Sequence, residues 1–181
     1  MATKKTRIVV IIGVLSALAW VLMALEFPLF VYFPSYLKVD FSDLPAVFSG
    51  LIAGPMAAVV TEFIKNLLHF FTMSKEGGIG EIANFAAGVG FVLPVVLVTR
   101  KNDKKMWIGL ALGVIGITVV ANLVNYFITL PLYMKGADNK VLLDTILAIT
   151  IPFNIVKGII ISVPSYFLHM ALKNVINKYK I

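Results

Sequence analysis

The chain has 181 residues, of which 60% are hydrophobic and only 14% are charged. Soluble domains are about 45–50% apolar and about 25% charged, so this composition excludes an ordinary soluble domain and indicates an integral membrane protein. The absence of cysteine excludes disulfides and thiolate metal sites, and the net charge of +7 does not indicate nucleic-acid binding, because the basic residues cluster between apolar blocks.

Five apolar blocks follow one another along the chain, at 8–25, 44–72, 79–99, 106–132 and 145–172. The basic start resembles a signal peptide, but no cleavage site follows, so we expect a retained helix. A spanning helix needs about 20 residues, and the second block is too long for one. Gly54-Pro55 divides it, because proline removes a helix donor and glycine favours a bend.

The sequence therefore predicts an all-α membrane protein with a single domain of six transmembrane helices. The expected helices cover about 8–30, 43–53, 55–73, 79–100, 106–133 and 145–174. The second helix is short, and a long external loop separates it from the first.

Charge supports six segments and sets their orientation. With six, one side carries ten basic residues, against Asp103 as its acid: Lys4, Lys5, Arg7, Arg100, Lys101, Lys104, Lys105, Lys173, Lys178 and Lys180. The other side carries Lys38, Lys75, Lys135 and Lys140 against Glu26, Asp40, Asp43, Glu76, Asp138 and Asp144. Basic residues favour the cytoplasmic side, so both termini are predicted to be cytoplasmic, in a prokaryotic cell membrane.

Polar residues within the predicted helices gather in the outer half of the membrane. They form three pairs spaced three residues apart, so each pair shares a helix face: Glu81 with Asn84, Asn122 with Asn125, and Asn154 with Lys157. The inner stretches 86–98 and 107–120 are nearly all apolar or glycine. This distribution predicts a cavity open to the exterior and closed below.

Two lysines lie within the predicted spans. An ionised side chain at mid-membrane costs roughly 2.5–3.5 kcal/mol, so Lys65 and Lys157 are candidates for a site. Glu62 lies three residues before Lys65, which favours a structural pair, whereas Lys157 has no acid on its own helix face, which favours function. His69 and His169 are expected to lie at opposite ends, so no metal site is predicted.

Two further features have open interpretations. Tyr32, Phe33 and Tyr36 are either an interfacial aromatic belt or a lid over a binding site. Gly13 and Ala17 lie four residues apart on the first helix, a spacing that lets another helix approach closely but that also arises by chance.

Motifs for nucleotide chemistry and catalysis are missing or out of context. The chain has no P-loop, and its nominal dinucleotide fingerprint, Gly78-Ile-Gly80-Glu-Ile-Ala83, lacks a preceding strand. No nucleophile–base constellation stands out. An enzyme is therefore not expected, and the alternative of an intramembrane enzyme or assembly factor would use Glu62, Lys65 and His69.

Four motifs carry a resemblance to a known family. They are Leu25-Glu-Phe-Pro28, Tyr36-Leu-Lys-Val-Asp-Phe-Ser-Asp-Leu-Pro45, Lys65-Asn-Leu-Leu-His69 and Gly78-Ile-Gly-Glu-Ile-Ala-Asn84. In this order they resemble the substrate-binding (S) component of an energy-coupling factor (ECF) transporter, and more narrowly the riboflavin-specific RibU family. An S component for another vitamin is the nearest alternative.

The resemblance implies partners as well as a fold. It implies six helices around an outward-facing vitamin pocket that the first external loop covers, with a membrane coupling subunit and two ATP-hydrolysing subunits. The S component would topple in the membrane to deliver its vitamin. The family commonly contacts the coupling subunit through Ala-x-x-x-Ala on helix one, where this chain has Gly13 and Ala17.

Riboflavin, as transported ligand rather than cofactor, suits the polar residues of the predicted cavity and its loop. The predicted set of substrate-binding residues is Lys38, Asp40, Glu81, Asn84, Asn122, Asn125 and Lys157. An asparagine amide offers both a donor and an acceptor to the pyrimidine edge of the flavin ring, and Lys157 can donate to a ring carbonyl or nitrogen. Lys38 and Asp40, in the polar loop, would face the ribityl hydroxyls.

Overall fold

A computed structural model of the chain describes residues 3–29, 33–74 and 77–181. Across these residues six helical rods pack as one bundle, and we number them α1 to α6: Lys4–Ala24, Asp43–Ala53, Pro55–Met73, Ile79–Lys101, Asp103–Tyr133 and Asn139–Tyr179. The α1–α2 loop contains two strands, β1 (Phe27–Pro28) and β2 (Lys38–Val39), paired antiparallel. Tyr32, Lys75 and Glu76, used above, lie outside the described residues.

Helix bounds differ from expectation mainly at α1 and α6. α1 begins at Lys4, where the Thr3 hydroxyl accepts from the Thr6 amide at 3.3 Å, and it ends at Ala24 rather than near residue 30. Pro28 explains the earlier end, because the residue before a proline is driven into extended conformation and the segment pairs as β1. α6 extends beyond the expected 145–174 at both ends.

The break between α2 and α3 forms one end of the bundle. Gly54 has φ +104°, a conformation that favours glycine, and Pro55 opens α3. The last carbonyls of a helix lack partners within it. Here the Arg100 guanidinium donates to the carbonyls of Gly50 (3.2 Å) and Leu51 (2.9 Å), and it also reaches the Ile181 carbonyl at 3.1 Å. The α2–α3 turn, the α4–α5 loop and the C-terminus therefore meet, and we call this the basic end.

α5 and α6 each contain a π-turn in the half away from the basic end. The turns cover Asn125–Thr129 and Ile146–Thr150, and each ends two residues before a proline, Pro131 or Pro152. A proline ring clashes with the carbonyl four residues earlier, and a wider turn accommodates that clash. The π-turns shift the register of the side chains that follow them.

In the middle of the bundle, α4 and α5 touch through glycines, so that their backbones lie close together. A Cβ atom on Gly90 would lie 2.8 Å from the Gly116 carbonyl oxygen, and one on Gly113 would lie 2.8 Å from a methyl of Val95. Real Cβ atoms essentially never make contacts below 3 Å, so a larger residue would push the two helices apart, and glycine lets their backbones approach this closely.

Four rods are long and apolar enough to cross a bilayer by length and composition, namely α1, α4, α5 and α6. α2 is a shorter apolar helix, and α3 has 19 residues that include Glu62 and Lys65. The all-α bundle with a short second helix agrees with the predicted fold class. Six crossings and cytoplasmic termini stay predictions.

Candidate functional site

A cavity of about 750 Å³ opens at the end of the bundle opposite the basic end, and we call it the main cavity. Its volume lies within the range of about 300–1,000 Å³ that small-molecule sites occupy. Six of the seven predicted substrate-binding residues line it: Lys38, Asp40, Glu81, Asn84, Asn125 and Lys157. The structure thus brings these six residues together around one cavity, and their role in binding a substrate stays a prediction.

Lys157 connects three parts of the chain at the cavity wall. Its ammonium donates to Asn84 Oδ1 at 3.0 Å and lies 3.6 Å from Asp40 Oδ2. Burial would raise the pKa of the Asp40 carboxyl, but the charges of Lys157 and Lys65 and hydrogen bonds from Ser42 outweigh burial and lower it. Asp40 is thus a buried carboxylate that accepts hydrogen bonds, and it is the acid that Lys157 lacks on its own helix.

Asn84 is oriented from both sides. Its Oδ1 accepts from Lys157, while its Nδ2 donates to Asn66 Oδ1 at 3.2 Å. Asn66 in turn donates to the Glu62 backbone carbonyl at 2.8 Å. Because each amide has one acceptor side and one donor side, this chain of bonds fixes which side of Asn84 faces Lys157.

A fully buried charge cluster lies behind the cavity wall, formed by Lys65, Asp43 and Glu62. The Lys65 ammonium donates to Asp43 Oδ1 (2.5 Å) and Glu62 Oε1 (3.0 Å), and also to Ser42 Oγ at 2.7 Å. None of these residues lines the main cavity. The sequence analysis favoured a structural pair of Lys65 with Glu62, and the two side chains do pair here. Asp43 is a second partner of Lys65 that the sequence did not indicate.

The proposed alternative face of Glu62, Lys65 and His69 is divided in the structure. His69 lines the main cavity and its Nδ1 lies 2.9 Å from Glu81 Oε1, whereas Glu62 and Lys65 point into the buried cluster. Within residues 3–29, 33–74 and 77–181, no three His, Cys, Asp or Glu side chains could hold a metal ion together.

Asn122 does not line the main cavity, in contrast to its predicted role. Its Nδ2 donates to the Thr118 carbonyl at 2.6 Å, and its Oδ1 accepts from the Thr150 hydroxyl. Asn122 therefore connects α5 to α6, and Thr150 lines the cavity in its place. Asn125, three residues later, does line the cavity.

The α1–α2 loop covers one side of the cavity through aromatic contacts. The Tyr36 and Tyr133 rings stack with centroids 5.5 Å apart, and Phe33 meets Phe153 edge-on at 5.4 Å. Lys38 forms an ion pair with Glu26 across the β1–β2 ribbon. Burial raises the pKa of the Tyr36 hydroxyl. Tyr36 lines the cavity, which favours the lid over the interfacial belt for this residue.

Several lining residues were absent from the predicted set. Asn154 shares a helix face with Lys157, so the sequence contained a signal for it. Tyr133 and Phe153 carried none, because an aromatic residue near the end of an apolar helix is expected to face lipid. Their place in the cavity wall depends on the π-turns and on packing against the loop.

Gly13 and Ala17 lie on an exposed face of α1, far from the cavity. A Cβ atom on Gly13 would meet nothing within 4 Å, and the adjacent Val14 is 63% exposed. Packing within this chain therefore does not require glycine at this position.

Comparison with known proteins relates the whole chain to one family. A family model described as the substrate-specific component of ECF transporters matches residues 7–168. The riboflavin transporter FmnP of Bacillus subtilis (strain 168) is 37% identical over 178 residues, covering 93% of each chain. The riboflavin transporter RibU of Staphylococcus aureus (strain TCH60) is 34% identical, covering 97% of this chain and 95% of RibU.

A solved structure agrees with these sequence matches. It is described as showing the structure and mechanism of the S component of a bacterial ECF transporter, and it matches this fold with a TM-score of 0.79. The two chains are 36% identical, and the match covers 94% of this chain and 98% of the other.

Proposed function

This chain belongs to the substrate-specific components of ECF transporters, and on that premise we propose that it is the riboflavin-binding subunit of such an importer. One observation carries the proposal: Lys157, Asn84 and Asp40 converge on the main cavity of about 750 Å³. The aromatic side chains Tyr36, Tyr133 and Phe153 also line this cavity, and we call them the aromatic roof. The relatives named as riboflavin transporters support this vitamin over others. Because the matched family consists of transport proteins, the prediction that the chain is not an enzyme is confirmed.

The chemistry of the cavity walls suits a flat ring that carries a polyol. We assign the ring to the space between the aromatic roof and the amide-bearing helices, with Asn125 and Asn154 facing its pyrimidine edge and Lys157 donating to a carbonyl or ring nitrogen. Asp40 accepts from the ribityl hydroxyls, and Lys38 lies beside them at the rim. Glu81, held by His69, and Asn84, held by Asn66, set the shape of the polar wall.

The partners are those of an ECF module. The chain is an integral membrane protein, and we assign it to the cytoplasmic membrane of a prokaryote with its basic end in the cytoplasm. The partners we propose are one membrane coupling subunit and two ATPase subunits. The exposed Gly13 and Ala17 of α1 offer the coupling subunit a close helix–helix approach.

Flavin binding by the purified chain tests the proposal. We expect the protein to bind close to one riboflavin per chain and to quench its fluorescence, with no displacement by excess thiamine or biotin. A protein that leaves flavin fluorescence unchanged would overturn the proposal, and displacement by another vitamin would reassign the substrate.

One substitution tests the site itself. Lys157→Met should weaken riboflavin binding by roughly ten- to hundredfold, since a hydrogen bond from a charged donor contributes about 1.5–3 kcal/mol. Lys140→Met, on the same helix but outside the cavity lining, is the matched control and should bind as the parent does. Equal affinities for the two variants would contradict the assignment of Lys157.

A further inference from the structure

A second, smaller cavity lies at the basic end, far from the main cavity. It has a volume of about 230 Å³, and we call it the basic-end pocket. The first turn of α5 and the last third of α6 form its walls, with His169, Tyr166, Lys173 and Lys104 among its lining residues. The flavin site makes no use of this pocket.

His169 is an unsatisfied polar group in the wall of this pocket. The residue is only 1% exposed, and neither ring nitrogen has a hydrogen-bond partner among the described residues. A neutral imidazole carries one donor and one acceptor, and burying both without partners is unfavourable. A phenylalanine would fill the same space at no such cost, so the imidazole points to a polar occupant of the pocket.

The charges around the pocket select an anion. Lys104 and Lys173 are both exposed at its rim. Asp103 is the acid in the lining, and its Oδ2 accepts from Asn177 Nδ2 at 3.0 Å, so that carboxylate is already engaged with the end of α6. Two ammonium groups and an imidazole remain to face the occupant. A group with several strong acceptor oxygens, such as a phosphate, satisfies all three.

The surroundings place this pocket at the level of lipid headgroups. Trp107 is 64% exposed on the first turns of α5, and Tyr166 is 39% exposed on α6. Tryptophan and tyrosine concentrate at membrane–water interfaces, and basic residues beside them attract anionic lipids. The pocket is too small for riboflavin but has room for a phosphate group, and an acyl chain attached to that group would lie along the exposed Met170 side of α6.

We propose that the basic-end pocket binds a phosphate group, carried by an anionic phospholipid or present as free phosphate, with His169 at its base and Lys104 and Lys173 at its rim. Such a ligand would tie the α4–α5 loop to the end of α6 on the side where the termini lie.

Native mass spectrometry of the full chain in detergent tests this proposal. The chain is titrated with phosphatidylglycerol, with phosphatidylcholine of the same acyl chains, and with inorganic phosphate. We expect one phosphatidylglycerol to bind at least tenfold more tightly than phosphatidylcholine. If inorganic phosphate at millimolar concentration leaves this lipid bound, the source is the lipid, and if phosphate displaces it, the site also takes the free anion. Equal retention of the two lipids without phosphate binding would overturn the proposal.

Variants connect the binding to the pocket. Lys104→Gln and Lys173→Gln change exposed side chains, so they should fold normally and each should lower the preference for phosphatidylglycerol several-fold. His169→Phe should abolish the preference, with far-UV circular dichroism reporting on its fold. Lys178→Gln removes an equally basic residue of α6 outside the lining and should leave the preference unchanged. A preference that survives both pocket lysine variants would contradict the site.

Discussion

The two halves of this bundle are built from the same helices and have opposite characters. In α4, Glu81 and Asn84 face the main cavity, while Phe91 and Val95, two and three turns further along, are completely buried in an apolar core. α5 shows the same change in reverse order, from glycines that touch α4 to Asn125 at the cavity. One half is hollow and polar, and the other is packed tightly.

The difference follows from how helices associate in lipid. No hydrophobic force drives helix to helix there, so close association requires small residues and good contact, which the glycines of α4 and α5 supply. Once that half is rigid, the other half can remain open. Its polar groups are then satisfied by one another, as in the bonds from Lys157 through Asn84 to Asn66. Rigidity and binding are thus separated along each helix.

The largest expected effect comes from the buried charge cluster between these halves. Lys65→Met removes the cation that Asp43 and Glu62 share, leaving two carboxylates without solvent. Removing one partner of a buried ion pair costs about 3–5 kcal/mol, so we expect this variant to unfold at a much lower temperature or to fail to accumulate. Thermal unfolding in detergent, followed by far-UV circular dichroism, measures the loss.

Lys157→Met is the matched control for this prediction. It makes the same substitution at a lysine that also pairs with a carboxylate, Asp40, but at the wall of an open cavity where water can replace the lost partner. We expect a much smaller loss of stability than for Lys65→Met. Equal losses would mean that the two halves are not energetically distinct.

The packed half is tested by a pair of glycine substitutions. Gly116→Ala forces a methyl group against the Gly90 carbonyl, and overpacking of this kind typically costs about 1–3 kcal/mol. Gly13→Ala adds the same methyl where nothing lies within 4 Å, and alanine favours helix by up to about 1 kcal/mol over glycine. The unfolding temperature should therefore fall for the first variant and stay or rise for the second. A similar fall in both would show that the contact between α4 and α5 is not tightly packed.

The division into halves was visible in the sequence because it depends on local patterns. Asparagines, a lysine and a glutamate recur at spacing three near one end of the helices, and glycines and valines fill the other. The Gly54-Pro55 break was visible for the same reason, since the two residues carry their own backbone constraints.

Partners from distant parts of the chain were not predictable in this way. Asp43 lies 22 residues from Lys65, and the aromatic roof joins Tyr36 to Tyr133, so neither contact leaves a periodic trace. Asn122 was assigned to the cavity by its spacing from Asn125, which assumes a regular helix. That spacing contains no information about α6, whose Thr150 donates to Asn122 and is itself the wall residue at this point.

The smallest expected effect concerns the rim of the hollow half, where Lys38 and Glu26 pair across the loop. Their side chains are 36% and 24% exposed, and pairs exposed to this degree contribute about 0–1 kcal/mol. Lys38→Glu places two acids together, so we expect riboflavin to dissociate up to about fivefold faster with little change in unfolding temperature. The rate is measured by stopped-flow recovery of flavin fluorescence.

A double variant that exchanges the two charges distinguishes between two roles for Lys38: holding the loop in place, or contacting riboflavin directly. Lys38→Glu combined with Glu26→Lys restores an ion pair across the β1–β2 ribbon while removing the ammonium from its original position. If Lys38 acts by holding the loop against α1, the double variant should release riboflavin at close to the parent rate. A double variant that releases it as fast as the single one would instead assign Lys38 a direct contact with the ribityl hydroxyls, because only the position of the ammonium would then matter.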